Sequence, residues 1–270
     1  MSEPIPCGPT APASFKVLDV RVDAVQIPEV IAGMQDWIAR RAGCRFIAVT
    51  GMHGVIEARH DPQFRSILNS ADRVVPDGYP LAWLARRKGF AHLRRRVYGP
   101  ELMAEFCRQT AAKGYRHFFY GGAPGVAEDL ANRFASRYPG LVVAGTYCPP
   151  FRLLSPDEQF EVIAKIDESN ADVVWVGLST PKQERWMFEC RLRLRVPVLV
   201  GVGAAFDFHT LRTAQAPEWM RENGFEWLFR LFCEPKRLWR RYLIQGSEFV
   251  LLVALETLGV RQFPLRRGQP

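Results

Sequence analysis

The stretch "RVVPDGYPLAW", residues 73–83, sets a carboxylate after a short apolar run and directly before a glycine. Val74 and Val75 read as the end of a buried strand, Pro76-Asp77-Gly78 as the turn that closes it, and Tyr79 to Arg87 as a helix. In an open α/β sheet the loops at the carboxyl ends of the strands face the ligand crevice, where a carboxylate can take a proton from a substrate hydroxyl. Burial there would lift the Asp77 carboxyl above its ordinary value near 3.9, and a neighbouring arginine would pull it down. The same residue in the same turn also suits a helix N-cap, so the spacing admits a structural role beside the chemical one.

Three further junctions carry chemistry of a related kind. "FFYGGAPGVAEDL" puts Gly121 and Gly122 between a strand and a helix start, where backbone amides and the helix dipole suit a phosphate. "VWVGLSTPKQERWM" brings Ser179, Thr180, Lys182 and Gln183 to the next junction, and "VGVGAAFDF" adds Asp207. Each alone is equally explained by tight packing, but three on one sheet edge converge on a single crevice. In "VTGMHGV", Thr50 and His53 stand after another strand, with His53 either touching a ligand or capping a helix.

The dinucleotide fingerprint, the G-x-x-x-x-G-K-[ST] loop and a D-x-D pair are all missing, so a phosphate ligand falls to arginines, helix ends and amides, with no metal and no cofactor expected. Lys182 and Glu184 can equally be surface residues of a helix start. His117 reads as structural, and Trp83, Trp175, Trp186 and Trp219 read as core.

The elements that must position these residues follow from periodicity. The runs "KVLDVRV", "RFIAVT", "RVVP", "RHFFYGG", "LVVAGTY", "DVVWVGL" and "VPVLVGVG" alternate with helical stretches. That alternation predicts an α/β fold: a doubly wound, largely parallel sheet with helices on both faces, over residues 15–223. Residues 1–14, rich in Pro and small residues, read as a disordered lead-in without the features of a signal peptide. Residues 224–270 read as a helical C-terminal appendage with Pro235 opening a helix.

Of 270 residues, 48% are hydrophobic, enough to fill a substantial core. The six cysteines stand singly, a pattern that fits a reducing cytoplasm. A net charge of +8 points to an anionic partner. Basic residues gather in 86–96, in 235–242 and in the tail from 260, and the last two flank the apolar "FVLLVAL". That grouping favours an anionic membrane surface over nucleic acid, and the apolar stretch is far short of the roughly 20 residues that span a bilayer. The protein is therefore expected in the cytoplasm, peripherally held on the inner face of the cell membrane. The same face also suits a contact between copies in a homo-oligomer.

The motifs, taken in order, resemble the WecG/TagA/CpsF bacterial glycosyltransferases. They are "VLDVRVD" (17–23), "PDG" (76–78), "RVYGPEL" (96–102), "FFYGG" (118–122), "VGLSTPKQE" (176–184), "GVGAAFDF" (201–208), "AP" (216–217) and "EWLFRLFCEPKRLWRRY" (226–242). The resemblance implies an inverting, metal-independent transfer from a UDP-sugar donor to a polyprenyl-diphosphate-linked sugar acceptor, in cell-surface or exopolysaccharide biosynthesis. It implies Asp77 as catalytic base, with Arg96 and Gln183 beside it, and it brings Arg230, Arg237 and Arg240 of the appendage toward the diphosphate. The sequence departs from the family pattern at Met52, where Asn is usual, and at Leu211 and Gln215, where Gly and Arg are usual. Two other classes compete: an NAD-dependent sugar-nucleotide epimerase or oxidoreductase, and a non-catalytic basic protein that binds membrane or nucleic acid.

Overall fold

The computed structural model describes residues 12–263, so most of the expected lead-in and the end of the basic tail lie outside the described residues. Six of the seven apolar runs form one parallel sheet, as expected of an α/β fold. With β1 at Ser14–Val17 and β2 at Val20–Asp23, the sheet strands are β3 (Arg45–Thr50), β4 (Arg73–Pro76), β5 (Arg116–Gly121), β6 (Val142–Tyr147), β7 (Val173–Gly177) and β8 (Val198–Gly201). Their order is β4-β3-β8-β7-β5-β6, and every adjacent pair is parallel.

Both faces of this sheet are apolar, which is why the runs are continuous and not alternating. Val174 and Val176 face one core, with Phe46, Ala48, Phe118 and Leu199. Val173 and Trp175, one residue out of phase, face the other, with Ile47, Val49, Phe119 and Val200. Among the helices, Met52–His60, Tyr79–Arg87 and Lys182–Cys190 contribute to the first core, while Ile27–Arg40, Gly99–Thr110 and Val126–Arg137 cover the second.

"KVLDVRV" departs from the expectation of one strand in the sheet. It folds as the antiparallel hairpin β1–β2, turning at Leu18, whose φ is 52°. No glycine marks the turn; burial of Leu18 and the ion pairs of Asp19 with Arg59 (2.7 Å) and Arg65 (3.1 Å) hold it. The hairpin then supports β4, because Asp23 Oδ2 accepts the backbone N–H of Val74 at 2.8 Å.

The chain moves from β3 outward to β4, then crosses to β5 at the far side, returning through β7 to β8 beside β3. The reversal of strand order next to β3 marks the place where open α/β sheets put their ligand crevice, at the carboxyl ends of β3, β8 and β7. Gly78 makes the turn above it possible: its φ of 91° is open to glycine and costly for other residues.

The C-terminal helices are fastened to this core and do not hang from it. Phe249, Leu252 and Phe263 are buried in the first core. His60 pairs with Glu248 at 2.8 Å and Lys16 with Glu256 at 3.2 Å. Pro235 opens the helix Pro235–Trp239, as its position in the sequence predicts. That helix then widens into a π-helical turn, Arg240–Gln245, before Gly246–Thr257.

Candidate active site

Asp77 stands where β4 ends. Its backbone N–H donates to Thr50 O at 2.7 Å, and Val97 N donates to Pro76 O at 2.8 Å, so both neighbouring segments pin the turn. Gly51 permits the approach, since a Cβ there would come within 2.9 Å of Asp77 O. The carboxylate does not cap the following helix: Gly78 is the N-cap residue, and no side chain caps it. The capping reading of Asp77 therefore fails.

Asp77 Oδ1 is buried without a hydrogen-bond partner, and the nearest guanidinium nitrogen, Arg96 Nη1, lies 3.9 Å away. Burial outweighs the arginines around it: the carboxyl is pushed up to about 6, against the lowering charges of Arg96, Arg241 and Arg230. About a third of the side chain stays open to the crevice. A carboxylate placed this way has an oxygen free of internal partners and a partly open side chain, the geometry a proton acceptor requires.

Arg96 is held on two sides. Its Nη2 pairs with Glu226 Oε2, and its guanidinium lies 4.1 Å above the Tyr98 ring centroid. Tyr98 in turn donates its hydroxyl to Glu226 Oε1 at 3.1 Å and accepts from Gln215 Nε2 at 3.0 Å. Gln215, one of the departures from the family pattern, thus joins the support of this arginine. Arg96 and Tyr98 also line a cavity of about 280 Å³ with Arg86, Arg94, Arg95 and Arg221, so part of the basic run 86–96 encloses space and is not only a solvated face.

Across the crevice, Gln183 is buried and spent on the framework. Its Oε1 accepts Gly203 N–H at 2.9 Å and its Nε2 donates to Glu184 Oε1 at 3.0 Å. Glu184 is fully buried, contrary to a surface position, and burial raises its carboxyl pKa. Thr180 Oγ1 donates to its Oε1 at 2.8 Å, while Oε2 has no partner. Thr50 Oγ1, at the end of β3, is likewise buried and unpartnered.

The appendage supplies the cations. Arg230 Nε and Arg241 Nε are buried without hydrogen-bond partners. Arg241 has its pKa lowered, by burial first and by the like charges of Arg230 and Arg237, an environment that an anion would relieve. Helical spacing predicts Arg237, Arg240 and Arg241 on one face, but the π turn changes the register. Arg240 is exposed and stacks 5.3 Å from the Trp239 ring, while Arg241 turns inward. Arg237 is exposed and pairs with Glu234 at 2.8 Å. Asp207 lies near Arg237, Glu234, Arg212 and Arg230, its carboxyl raised by burial.

The chain matches the family described as "Glycosyl transferase WecG/TagA/CpsF family" over residues 15–262. It belongs to that family. Among relatives, it is 32% identical over 198 residues to the N-acetylglucosaminyldiphosphoundecaprenol N-acetyl-beta-D-mannosaminyltransferase of Bacillus spizizenii, covering 73% of this chain and 74% of the relative. It is 28% identical to the protein of the same name in Bacillus subtilis, covering 75% and 76%.

This glycosyltransferase thus brings Asp77, Arg96, Gln183, Thr50 and Arg230 together at the carboxyl ends of its central strands, and places other sequence candidates elsewhere. His53 tethers the appendage: its Nδ1 lies 2.7 Å from Gln245 Oε1, and Gln245 Nε2 donates to Glu57 at 2.7 Å. Burial and Arg241 push its pKa down to about 4, leaving it neutral near pH 7. Met52, in the usual Asn position, packs where a Cβ on Gly246 would meet its Cε at 3.5 Å. Lys182 is exposed. His117 is structural, bonded to Thr110 Oγ1 at 3.0 Å and to Trp175 Nε1 at 3.2 Å. Trp175 and Trp186 are core as expected, but Trp83 and Trp219 are exposed, Trp83 beneath the Arg87 guanidinium at 4.5 Å.

Gly121 and Gly122 serve packing. A Cβ on Gly121, whose φ is 132°, would fall 2.6 Å from Gly177 O, and the Gly122 amide is already donated to Gly177 O at 3.1 Å. Gly121→Ala is expected to destabilise the fold by about 2 kcal/mol or more through backbone strain and overpacking. Denaturant unfolding checks this, and an unchanged midpoint would contradict it.

Proposed function

We propose that this glycosyltransferase moves a sugar from a UDP-sugar to a sugar carried on a polyprenyl diphosphate, with inversion. The observation that carries the reading is a set of buried, unpartnered polar atoms near Asp77: Asp77 Oδ1 and Thr50 Oγ1 at adjacent strand ends, Glu184 Oε2 at a helix start, and Arg230 Nε and Arg241 Nε on the C-terminal helices. Buried polar groups normally find partners, and here the missing partners match a hydroxylated, anionic ligand. In the proposed step Asp77 takes the proton of the acceptor hydroxyl as its oxygen bonds to the anomeric carbon. The bond from that carbon to the donor diphosphate breaks, and UDP leaves with its charge met by Arg230 and Arg241. Gln183 acts indirectly, fixing Glu184 and the Gly203 amide. The named relatives support N-acetylglucosaminyl-diphosphoundecaprenol as the acceptor type.

The test is incubation with a panel of UDP-sugars, N-acetylmannosamine among them, and polyprenyl-diphosphate-linked N-acetylglucosamine, followed by mass spectrometry of the lipid. One donor is expected to add its glycosyl mass with release of UDP. No added mass from any donor would overturn the reading.

We also propose that the appendage lies on an anionic membrane surface. No helix among the described residues is long and apolar enough to cross a membrane. Exposed positions 243, 244, 247, 250, 251, 254 and 258 recur every three or four residues and form an outward stripe. The acids that flank "FVLLVAL" do not interrupt it, because Glu248 and Glu256 pair with His60 and Lys16 of the core. Exposed Lys236, Arg237 and Arg240 stand next to it in sequence, each contributing on the order of 1 kcal/mol near an anionic surface. A Leu243→Asp, Leu251→Asp double variant is expected to stay in the supernatant when anionic liposomes are sedimented, while the wild type pellets. Equal pelleting of both would remove the stripe from membrane docking.

A further inference from the structure

We propose that Glu226 is a positioning residue: by binding Arg96 it keeps that guanidinium off Asp77 and leaves Asp77 free to accept a proton. The inference rests on Asp77 being the base.

Glu226 is the first residue of the helix Glu226–Cys233 and is buried. Both of its carboxylate oxygens are engaged, Oε2 by Arg96 Nη2 and Oε1 by the Tyr98 hydroxyl at 3.1 Å. Gln215 fixes that hydroxyl from the other side at 3.0 Å. Arg96 is therefore clamped in its plane by a carboxylate and on its face by the Tyr98 ring. Held there, its Nη1 stops 3.9 Å from Asp77 Oδ1, too far for a hydrogen bond, and Oδ1 keeps no partner although it is buried.

A guanidinium readily closes on a carboxylate as a two-pronged pair. Asp77 and Glu226 are the carboxylates that act on Arg96. Without the Glu226 charge, Arg96 is drawn to Asp77, covers the oxygen that must receive the proton and lowers its basicity. The groups facing Asp77 are Arg96 before the helix Gly99–Thr110, Glu226 and Arg230 on the helix Glu226–Cys233, and Arg241 on the π turn. Glu226 is the sole anion among them, so its removal and the closure of Arg96 act in the same direction. The opposite idea is that Glu226 merely occupies Arg96 until a substrate phosphate displaces it, in which case its removal should speed the reaction.

The experiment measures kcat/KM for transfer across pH in wild type, Glu226→Gln, Tyr98→Phe and Asp77→Asn. For Glu226→Gln the acid limb is expected to move down by roughly one pH unit or more, while the plateau falls by about tenfold or more. Tyr98→Phe, which loosens Glu226 without removing its charge, is expected to shift the limb the same way by less. A lower plateau with an unmoved limb in both variants would reduce Glu226 to a structural contact, and a raised plateau would make it a competitor of the substrate. Either result overturns the proposal while an inactive Asp77→Asn enzyme leaves the base assignment standing. An active Asp77→Asn enzyme would overturn the base assignment and the role of Glu226 with it.

Discussion

Asp77→Asn is expected to lower turnover by about 10²- to 10⁴-fold, the range for a lost general base, while binding of UDP is retained. The amide keeps the shape of the carboxyl, and Oδ1 makes no hydrogen bond that the substitution would break. The same variant is expected to be more stable at pH 7. Burial holds the Asp77 carboxyl at about 6 in the folded protein against an ordinary value of 3.8, so the unfolded chain gives up this proton more readily. Ionisation then costs the folded state on the order of 1–3 kcal/mol, reduced by the solvent that reaches its open side. The cost is fully present above pH 6 and vanishes below about 4, so the advantage of the variant should shrink through that window as pH falls. Thermal melts at pH 4, 5, 6 and 7 check the sign. A variant that loses both activity and stability would mean that Asp77 holds the fold.

Arg241→Ala is expected to lower transfer by about 10²- to 10³-fold, the cost of removing one donor from developing charge. Arg241 is half-buried, with its Nε enclosed and unpartnered and its pKa depressed by burial and by neighbouring arginines. A cation kept under those conditions gains most when the departing diphosphate arrives. Arg240→Ala changes an exposed side chain one position away and is expected to leave transfer to a short-chain, water-soluble acceptor within about threefold of wild type. Comparable losses in the two variants would remove Arg241 from its proposed place.

The contrast between Arg240 and Arg241 shows where the sequence stops being legible. Spacing at 237, 240 and 241 says that a cationic face exists, but the phase of that face is set by the π turn at Arg240–Gln245, and no residue type marks such a turn. The sheet was open to reading because burial on both faces makes its strands continuous apolar runs. "KVLDVRV" was not, since its turn uses a buried leucine at positive φ in place of the usual Gly, Asn or Pro. Trp83 and Trp219 fit apolar patterns yet lie at the surface, Trp83 under Arg87.

Within the site, Asp77 was legible from a strand end followed by glycine, and Arg96 and Gln183 from the family motifs. Glu226 carries no such signal, because an acid at a helix start is explained well enough by the helix dipole. Its tie to Arg96 spans 130 residues of sequence and exists only in the fold. Glu184 was hidden for a related reason: the strand-to-helix junction that looks exposed in the sequence is folded under the crevice.

The acid limb of the pH–rate profile tests the central claim most directly. With Asp77 as base, kcat/KM for transfer to the lipid-linked acceptor should be half-maximal near pH 6, fall tenfold per pH unit well below it, and level off as neutrality is approached. A profile that is flat from pH 4 to 8 would contradict the account, as would one whose limb persists unchanged in Asp77→Asn.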